Sequence, residues 1–179
     1  VGRDDKPRRR GLTMVLDKGL GLNCLDDILQ VSGEYIDFIK FSFGTSFVCP
    51  FEIVREKIKM ITDLEIDVYP GGTLFEVAAV QNKINEYLFR AKQMGFTAVE
   101  ISDGTIAYDS DYRIKVIKKA EALGFKVITE VGKKDRRNSL SSVEMKDRIA
   151  IDIDNGADYV IIEGRESGKG ICMYKNDGS

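Results

Sequence analysis

Six short runs of strand-forming residues recur along the chain, separated by longer stretches whose apolar residues return at helical spacing. That alternation restricts the fold more than any other feature. The runs are Leu12–Leu16, Tyr35–Phe41, Ile66–Tyr69, Thr97–Ser102, Phe125–Glu130 and Asp158–Glu163. They are rich in β-branched and aromatic residues, and turn residues close them: Asp17-Lys18-Gly19, Gly44-Thr45-Ser46, Pro70-Gly71-Gly72, Asp103-Gly104, Gly132 and Gly164. Between them lie five apolar stripes: Leu25, Ile28, Leu29 and Val31; Ile53, Val54, Ile58 and Ile61; Ile84, Tyr87, Leu88 and Ala91; Ile114, Ile117, Ala120 and Leu123; and Met145, Ile149, Ile151 and Ile153. Three helix-to-strand joints, Met94-Gly95-Phe96, Leu123-Gly124-Phe125 and Asn155-Gly156-Ala157, share a glycine where a helix ends in a left-handed residue.

Strict β-α alternation predicts a parallel sheet with right-handed crossovers, in an α/β domain spanning residues 1–179. Neither a G-x-G-x-x-G fingerprint nor a P-loop is present, which argues against a doubly wound nucleotide-binding sheet. The alternative is a (β/α)8 TIM barrel, which takes about 250 residues when complete. About six strands in 179 residues therefore predict a barrel truncated at its C-terminal side.

Composition narrows the chemistry. The chain contains no histidine, which removes Ser-His-Asp triads, His-ligated zinc and imidazole acid–base catalysis. Lys and Arg number 27 against 29 Asp and Glu, a balance unlike that of a general nucleic-acid binder. No apolar run reaches the roughly 18 residues a membrane span needs. Three scattered cysteines (Cys24, Cys49 and Cys172) without a C-x-x-C pair fit a cytoplasmic protein. The basic stretch Lys6–Arg10 reads as a solvated lead-in.

In a barrel the active site lies at the C-terminal ends of the strands. Glu100, Glu130 and Glu163 end three successive runs, so three carboxylates could share a hard cation such as Mg²⁺. They could equally be ion-pair partners of Lys40, Lys134 and Arg165. Lys40, Lys133, Lys134 and Arg165, with Lys169 beside Gly168, place cations at the same rim and predict a small, multiply charged anionic substrate. Lys134 or Lys133 is the natural proton donor where histidine is absent, since neighbouring cations lower a lysine's pKa. Gly71-Gly72 could present N–H groups to a phosphate, or be only a tight turn. Glu76 reads as a carboxylate in a helix first turn.

Taken together, seven ordered stretches resemble the phosphosulfolactate synthase family. They are Leu16-Asp17-Lys18-Gly19, Tyr35–Phe41, Gly44-Thr45-Ser46, Tyr69–Glu76, Glu100–Gly104, Thr129–Lys134 and Glu163–Gly170. The resemblance implies a (β/α)8 barrel and Mg²⁺-dependent addition of sulfite to C3 of phosphoenolpyruvate, giving (2R)-phospho-3-sulfolactate. It also implies that the family's candidate general acid, a lysine after the fifth strand, falls on Lys134. Lys40, Lys133, Arg165 and Lys169 are then expected to hold phosphate or sulfite, and Glu100, Glu130 and Glu163 the metal. Small molecules are the expected partners, with no nucleic acid or membrane; homo-oligomerisation stays open. The rival readings are a non-catalytic relative of the heat-stress-associated type, acting through protein binding, and a phosphoenolpyruvate lyase or aldolase using another nucleophile.

Overall fold

The computed structural model describes residues 3–106, 109–132 and 140–162. Each of the six runs coincides with a strand to within a residue or so at its C-terminal end: β1 (Met14–Asp17), β2 (Phe38–Phe41), β3 (Asp67–Pro70), β4 (Ala98–Ile101), β5 (Lys126–Val131) and β6 (Tyr159–Ile162). All described pairings are parallel, in the orders β1-β2-β3 and β4-β5-β6. The two sheets meet at β3 and β4. There Thr97 donates its N–H to Val68 O (3.1 Å), and its hydroxyl oxygen accepts the Val68 N–H (2.9 Å), replacing a regular ladder bond. Among the described residues the six strands thus follow one another in chain order, as in a barrel, with no pairing between β6 and β1. At the terminal strands Met14, Leu16 and Ile162 remain exposed.

The helices are α1 (Leu22–Ser32), α2 (Thr45–Val48), α3 (Phe51–Thr62), α4 (Gly72–Val80), α5 (Ile84–Met94), α6 (Ser110–Ala122) and α7 (Ser142–Asp154). Five match the apolar stripes. No stripe marks the short α2 or α4; α4 is expected only from Glu76 beyond the Gly-Gly turn, because Gly72–Val80 is apolar on most sides. Gly95 and Gly156, at two of the helix-to-strand joints, have φ of +96° and +108°, a region costly for side chains with a Cβ. A capping box starts α7: Ser141 Oγ accepts the Glu144 N–H, and the Glu144 carboxylate accepts the Ser141 N–H. Three stripes need correction at their ends. Val31, Leu123, Ile151 and Ile153 are exposed, while the charged Asp152 is fully buried on α7.

Alternation along the strands separates two cores. Ile39, Val68, Val99 and Val127 face outward and join Leu25, Val54, Ile61, Leu88 and Ile117 from the helices. Phe38, Tyr69, Ala98 and Ile128 face the other way and pack together, with Leu12, Tyr159 and Ile161 alongside. Phe38 stands edge-on to both Tyr69 and Tyr159 across this inner layer.

The N-terminal ends of the strands are covered by the basic segment that the sequence presents as a solvated lead-in. Arg3 and Arg8 both grip Asp37, just ahead of β2, at 2.9 and 2.8 Å, and Arg8 is buried. Lys6 donates to the carbonyls of Gly33 and Leu64. Asp37 also accepts the Thr13 N–H. The segment is therefore folded onto the sheet, because a buried carboxylate there needs cationic partners.

Candidate functional site

One step beyond the inner apolar layer, the same alternation turns charged residues inward. Phe38 is followed at i+2 by Lys40, Ala98 by Glu100 and Ile128 by Glu130. The structure brings these three predicted residues together. The Lys40 ammonium lies 2.9 and 2.8 Å from the two oxygens of Glu100 and 4.0 Å from Glu130 Oε2. Glu100 and Glu130 are buried, at 0% and 3% exposure.

Glu100 has a second partner. The Gly72 N–H, at the start of α4, donates to its Oε1 at 2.8 Å. The positive end of the helix is therefore directed at a carboxylate of the chain itself, and that N–H is not available to cradle a phosphate. Glycine is required at 72 for space: a Cβ there would stand 2.5 Å from Glu100 Oε1 and 2.5 Å from Ser102 Cβ.

Glu100 and Glu130 are not level, although each stands near the end of its strand. Glu100 pairs in register with Ile128, so Glu130 stands two residues further along β5. The residue that meets it is Ser102, whose hydroxyl oxygen is 3.2 Å from Glu130 Oε1. Ser102 also donates to Glu76 Oε1 at 2.6 Å. Glu76 is the fifth residue of α4 rather than part of its first turn, and its role is not macrodipole compensation. Its buried carboxylate accepts the N–H groups of Gly104 (2.9 Å) and Thr105 (3.2 Å) and the Thr105 hydroxyl, fixing the β4–α6 loop around it.

Behind this layer is a buried guanidinium. Arg113, on α6, is 2% exposed. It donates to both oxygens of Asp152 (2.8 and 2.6 Å) and to the Glu130 carbonyl (3.1 Å), and lies 3.5 Å from Asp103 Oδ1. Arg148 holds the other Asp103 oxygen at 2.8 Å. At the first strand, Asp17 accepts the N–H groups of Gly19 and Leu20 and pairs with the buried Lys57 of α3. Asp17 and Lys57 thus form a buried pair that fastens the β1–α1 loop.

Two tyrosines border the site. Burial pushes the Tyr69 phenol well above its ordinary value, and the charges of Glu100 and Glu130 push it further. Tyr87 is raised by burial first and by Glu100 second. Both remain neutral at any physiological pH and are unsuited to proton transfer.

The remaining predicted residues, Lys133, Lys134, Glu163, Arg165 and Lys169, lie outside the described residues. Among the described residues, no group of three or more His, Cys, Asp or Glu forms a ready-made metal cage. The donor set nevertheless suits Mg²⁺. That ion takes one or two protein carboxylates and completes its shell with substrate and water oxygens. Glu100 and Glu130 also outnumber the Lys40 ammonium that faces them both, an imbalance that favours a cation.

Sequence reasoning missed Ser102, Arg113 and Asp152. The last two carried a usable signal. Arg113 stands at helical spacing from the buried Val116, Ile117 and Ala120, and Asp152 occupies the buried face of α7.

Residues 1–179 match the family model described as (2R)-phospho-3-sulfolactate synthase (ComA). The chain is 51% identical over 172 residues to a phosphosulfolactate synthase of Methanocaldococcus jannaschii, covering 95% of this chain and 68% of that protein. It is 41% identical over 181 residues to the phosphosulfolactate synthase of Methanothermobacter thermautotrophicus, covering 99% and 69%. Among solved structures, a 3-hexulose-6-phosphate synthase aligns with TM-score 0.57 at 14% identity, covering 93% of this chain and 72% of that one. This last likeness concerns the fold alone and agrees with an α/β barrel.

Proposed function

The chain belongs to the (2R)-phospho-3-sulfolactate synthase family, and on that premise we propose that it serves the addition of sulfite to C3 of phosphoenolpyruvate with Mg²⁺ as cofactor. The observation that carries this reading is the inward layer of Lys40, Glu100 and Glu130 at the C-terminal mouth of the strands, where barrel enzymes hold their substrates.

In the reaction, the sulfur lone pair of sulfite forms a bond to C3. The C2–C3 π pair moves toward the carboxylate as an enediolate, and C2 then takes a proton to give (2R)-phospho-3-sulfolactate. Glu130, with Glu100 and Glu163 as the further candidates, would hold Mg²⁺, which would supply positive charge to offset the negative charge that develops on the substrate carboxylate. Lys134 is the proposed acid that delivers the proton to C2, a role worth about 10²–10⁴-fold in rate. Arg165 offers a planar fork suited to bidentate oxyanion binding, and Lys133 and Lys169 add point charges for phosphate or sulfite. Lys40 is anchored by Glu100 and keeps a side-chain exposure of 16% through which it meets the anion. Glu76 and Ser102 hold the β4–α6 loop in place while the anionic substrates enter.

The experiment follows the vinyl protons of phosphoenolpyruvate by NMR in the presence of the protein. Loss of those signals that requires sulfite and stops with a chelator is the expected result. Loss without sulfite would replace this reading with a lyase or aldolase using another nucleophile. No loss with a well-folded protein would replace it with a non-catalytic, protein-binding role. Lys134→Ala is expected to lower kcat by orders of magnitude while phosphoenolpyruvate still binds, and an unchanged kcat would remove the proton-donor assignment.

A further inference from the structure

We propose that Arg113 is a positioning residue for Glu130, setting where that carboxylate stands at the mouth. The inference rests on the reading of the site above as one that takes a divalent cation.

Arg113 does more than form a buried ion pair. Its fork on Asp152 already neutralises the guanidinium, with 2.8 and 2.6 Å contacts to the two oxygens. The same terminal nitrogen that grips Asp152 Oδ2 also donates to the Glu130 carbonyl at 3.1 Å. A second terminal nitrogen lies 3.5 Å from Asp103, the residue immediately after Ser102. One rigid, planar group therefore touches Glu130 and the neighbour of Ser102. Those are the two sides of the 3.2 Å contact that fixes the Glu130 carboxylate. Glu130 is held at both ends, by Arg113 on its main chain and by Ser102 on its side chain.

Stability alone does not account for this arrangement. A buried ion pair is often matched or exceeded by apolar residues of similar volume, so it is weak evidence for a purely stabilising role. Lysine cannot substitute, because a single ammonium does not reproduce a fork that spans Asp152, Asp103 and a carbonyl together. Groups that orient a metal-holding side chain from behind typically change metal affinity or activity by about 10–100-fold when altered.

The test measures Mn²⁺ binding, as a paramagnetic stand-in for Mg²⁺, by electron paramagnetic resonance without substrate. It compares the unaltered protein with Glu130→Gln, Arg113→Lys and Asp103→Ala. The last removes one anchor and leaves the Asp152 fork intact, so it reports even if Arg113→Lys fails to fold. Lys126→Met, which breaks the pair with Asp67 at the opposite end of the strands, is the structural control. Arg113→Lys is expected to weaken Mn²⁺ binding about 10–100-fold, with Asp103→Ala smaller in the same direction and Lys126→Met without effect. In steady state Arg113→Lys and Asp103→Ala should lower kcat and raise the Mg²⁺ requirement while the KM for sulfite holds.

If the unaltered protein binds no Mn²⁺, the cation reading fails and this inference falls with it. If it binds Mn²⁺ and Glu130→Gln abolishes binding, but the folded Arg113 and Asp103 variants bind normally, the site reading stands and the positioning role is overturned. Equal weakening by Lys126→Met would also overturn it, since the effect would then be general loosening.

Discussion

Lys40 and Glu100 come from β2 and β4, strands that do not pair with each other, and meet at 2.9 and 2.8 Å across the inner face of the sheet. The contact brings the two three-stranded sheets together at the level where substrate is expected. Glu100 is fully buried, and its charge is acceptable there because Lys40 and the Gly72 N–H both face it.

Lys40→Met is therefore expected to destabilise the protein by about 3–5 kcal/mol, the cost of leaving a buried charge without its partner. Lys40→Met combined with Glu100→Gln should recover part of that loss. Urea unfolding midpoints measure both. Equal stability of the single and double variants would show that Glu100 does not depend on Lys40.

Gly72→Ala places a methyl group 2.5 Å from Glu100 Oε1 and Ser102 Cβ, so a loss of about 1–3 kcal/mol is expected from overpacking. Gly71→Ala meets its nearest atoms, Lys40 Cε and Phe41 O, at 3.1 Å and should cost less. Thermal melts of the two variants rank them directly, and the reverse order would contradict the packing described.

Glu76→Gln exchanges an acceptor oxygen for an N–H₂ facing groups that already donate: the Ser102 hydroxyl and the N–H groups of Gly104 and Thr105. A donor left unpaired in such a place costs about 1–3 kcal/mol. Amide exchange should accelerate at Gly104 and Thr105 before it does in the strands. Unchanged protection at those two amides would exclude the loop-fixing role.

Alkaline stability follows from the tyrosines. Tyr69 and Tyr87 have folded-state pKa values raised above their ordinary value, by burial first and by the nearby glutamates second. The folded protein keeps those protons when the unfolded chain has released them. Their contribution is complete below about pH 10 and declines as pH rises beyond it. Tyrosinate absorbance should show both phenols ionising only together with unfolding. Tyr87→Phe should shift the alkaline unfolding midpoint upward, and independent ionisation of both phenols in the folded state would refute the assignment.

How much of this was legible in the sequence depends on the range of the interaction concerned. The six described strands, their parallel order and five of the seven described α-helices follow from periodicity and turn chemistry, which act over a few residues. Lys40, Glu100 and Glu130 were legible as a set because i+2 alternation carries each inner apolar residue to a charged one at the strand end. The extent of α4 was not legible because its apolar residues surround the helix and leave no stripe, so only Glu76 beyond the Gly-Gly turn pointed to a helix there. The basic N-terminal segment was misread because a run of Arg and Lys resembles a solvated tail until Asp37 is seen beneath it.

Local patterning determined the element types, their alternation and the end of the strands at which charge collects. The tertiary structure alone decided the partners. It set Glu130 two residues beyond the level of Glu100, directed the α4 N-terminus at Glu100, and joined Asp103, Arg113, Asp152 and Glu130 into one buried group. The physical reason is that strand register and helix docking are fixed by packing across the whole sheet. Such long-range contacts leave little trace in the spacing of neighbouring residues, and a buried charge reveals its partner only once both occupy the same small volume.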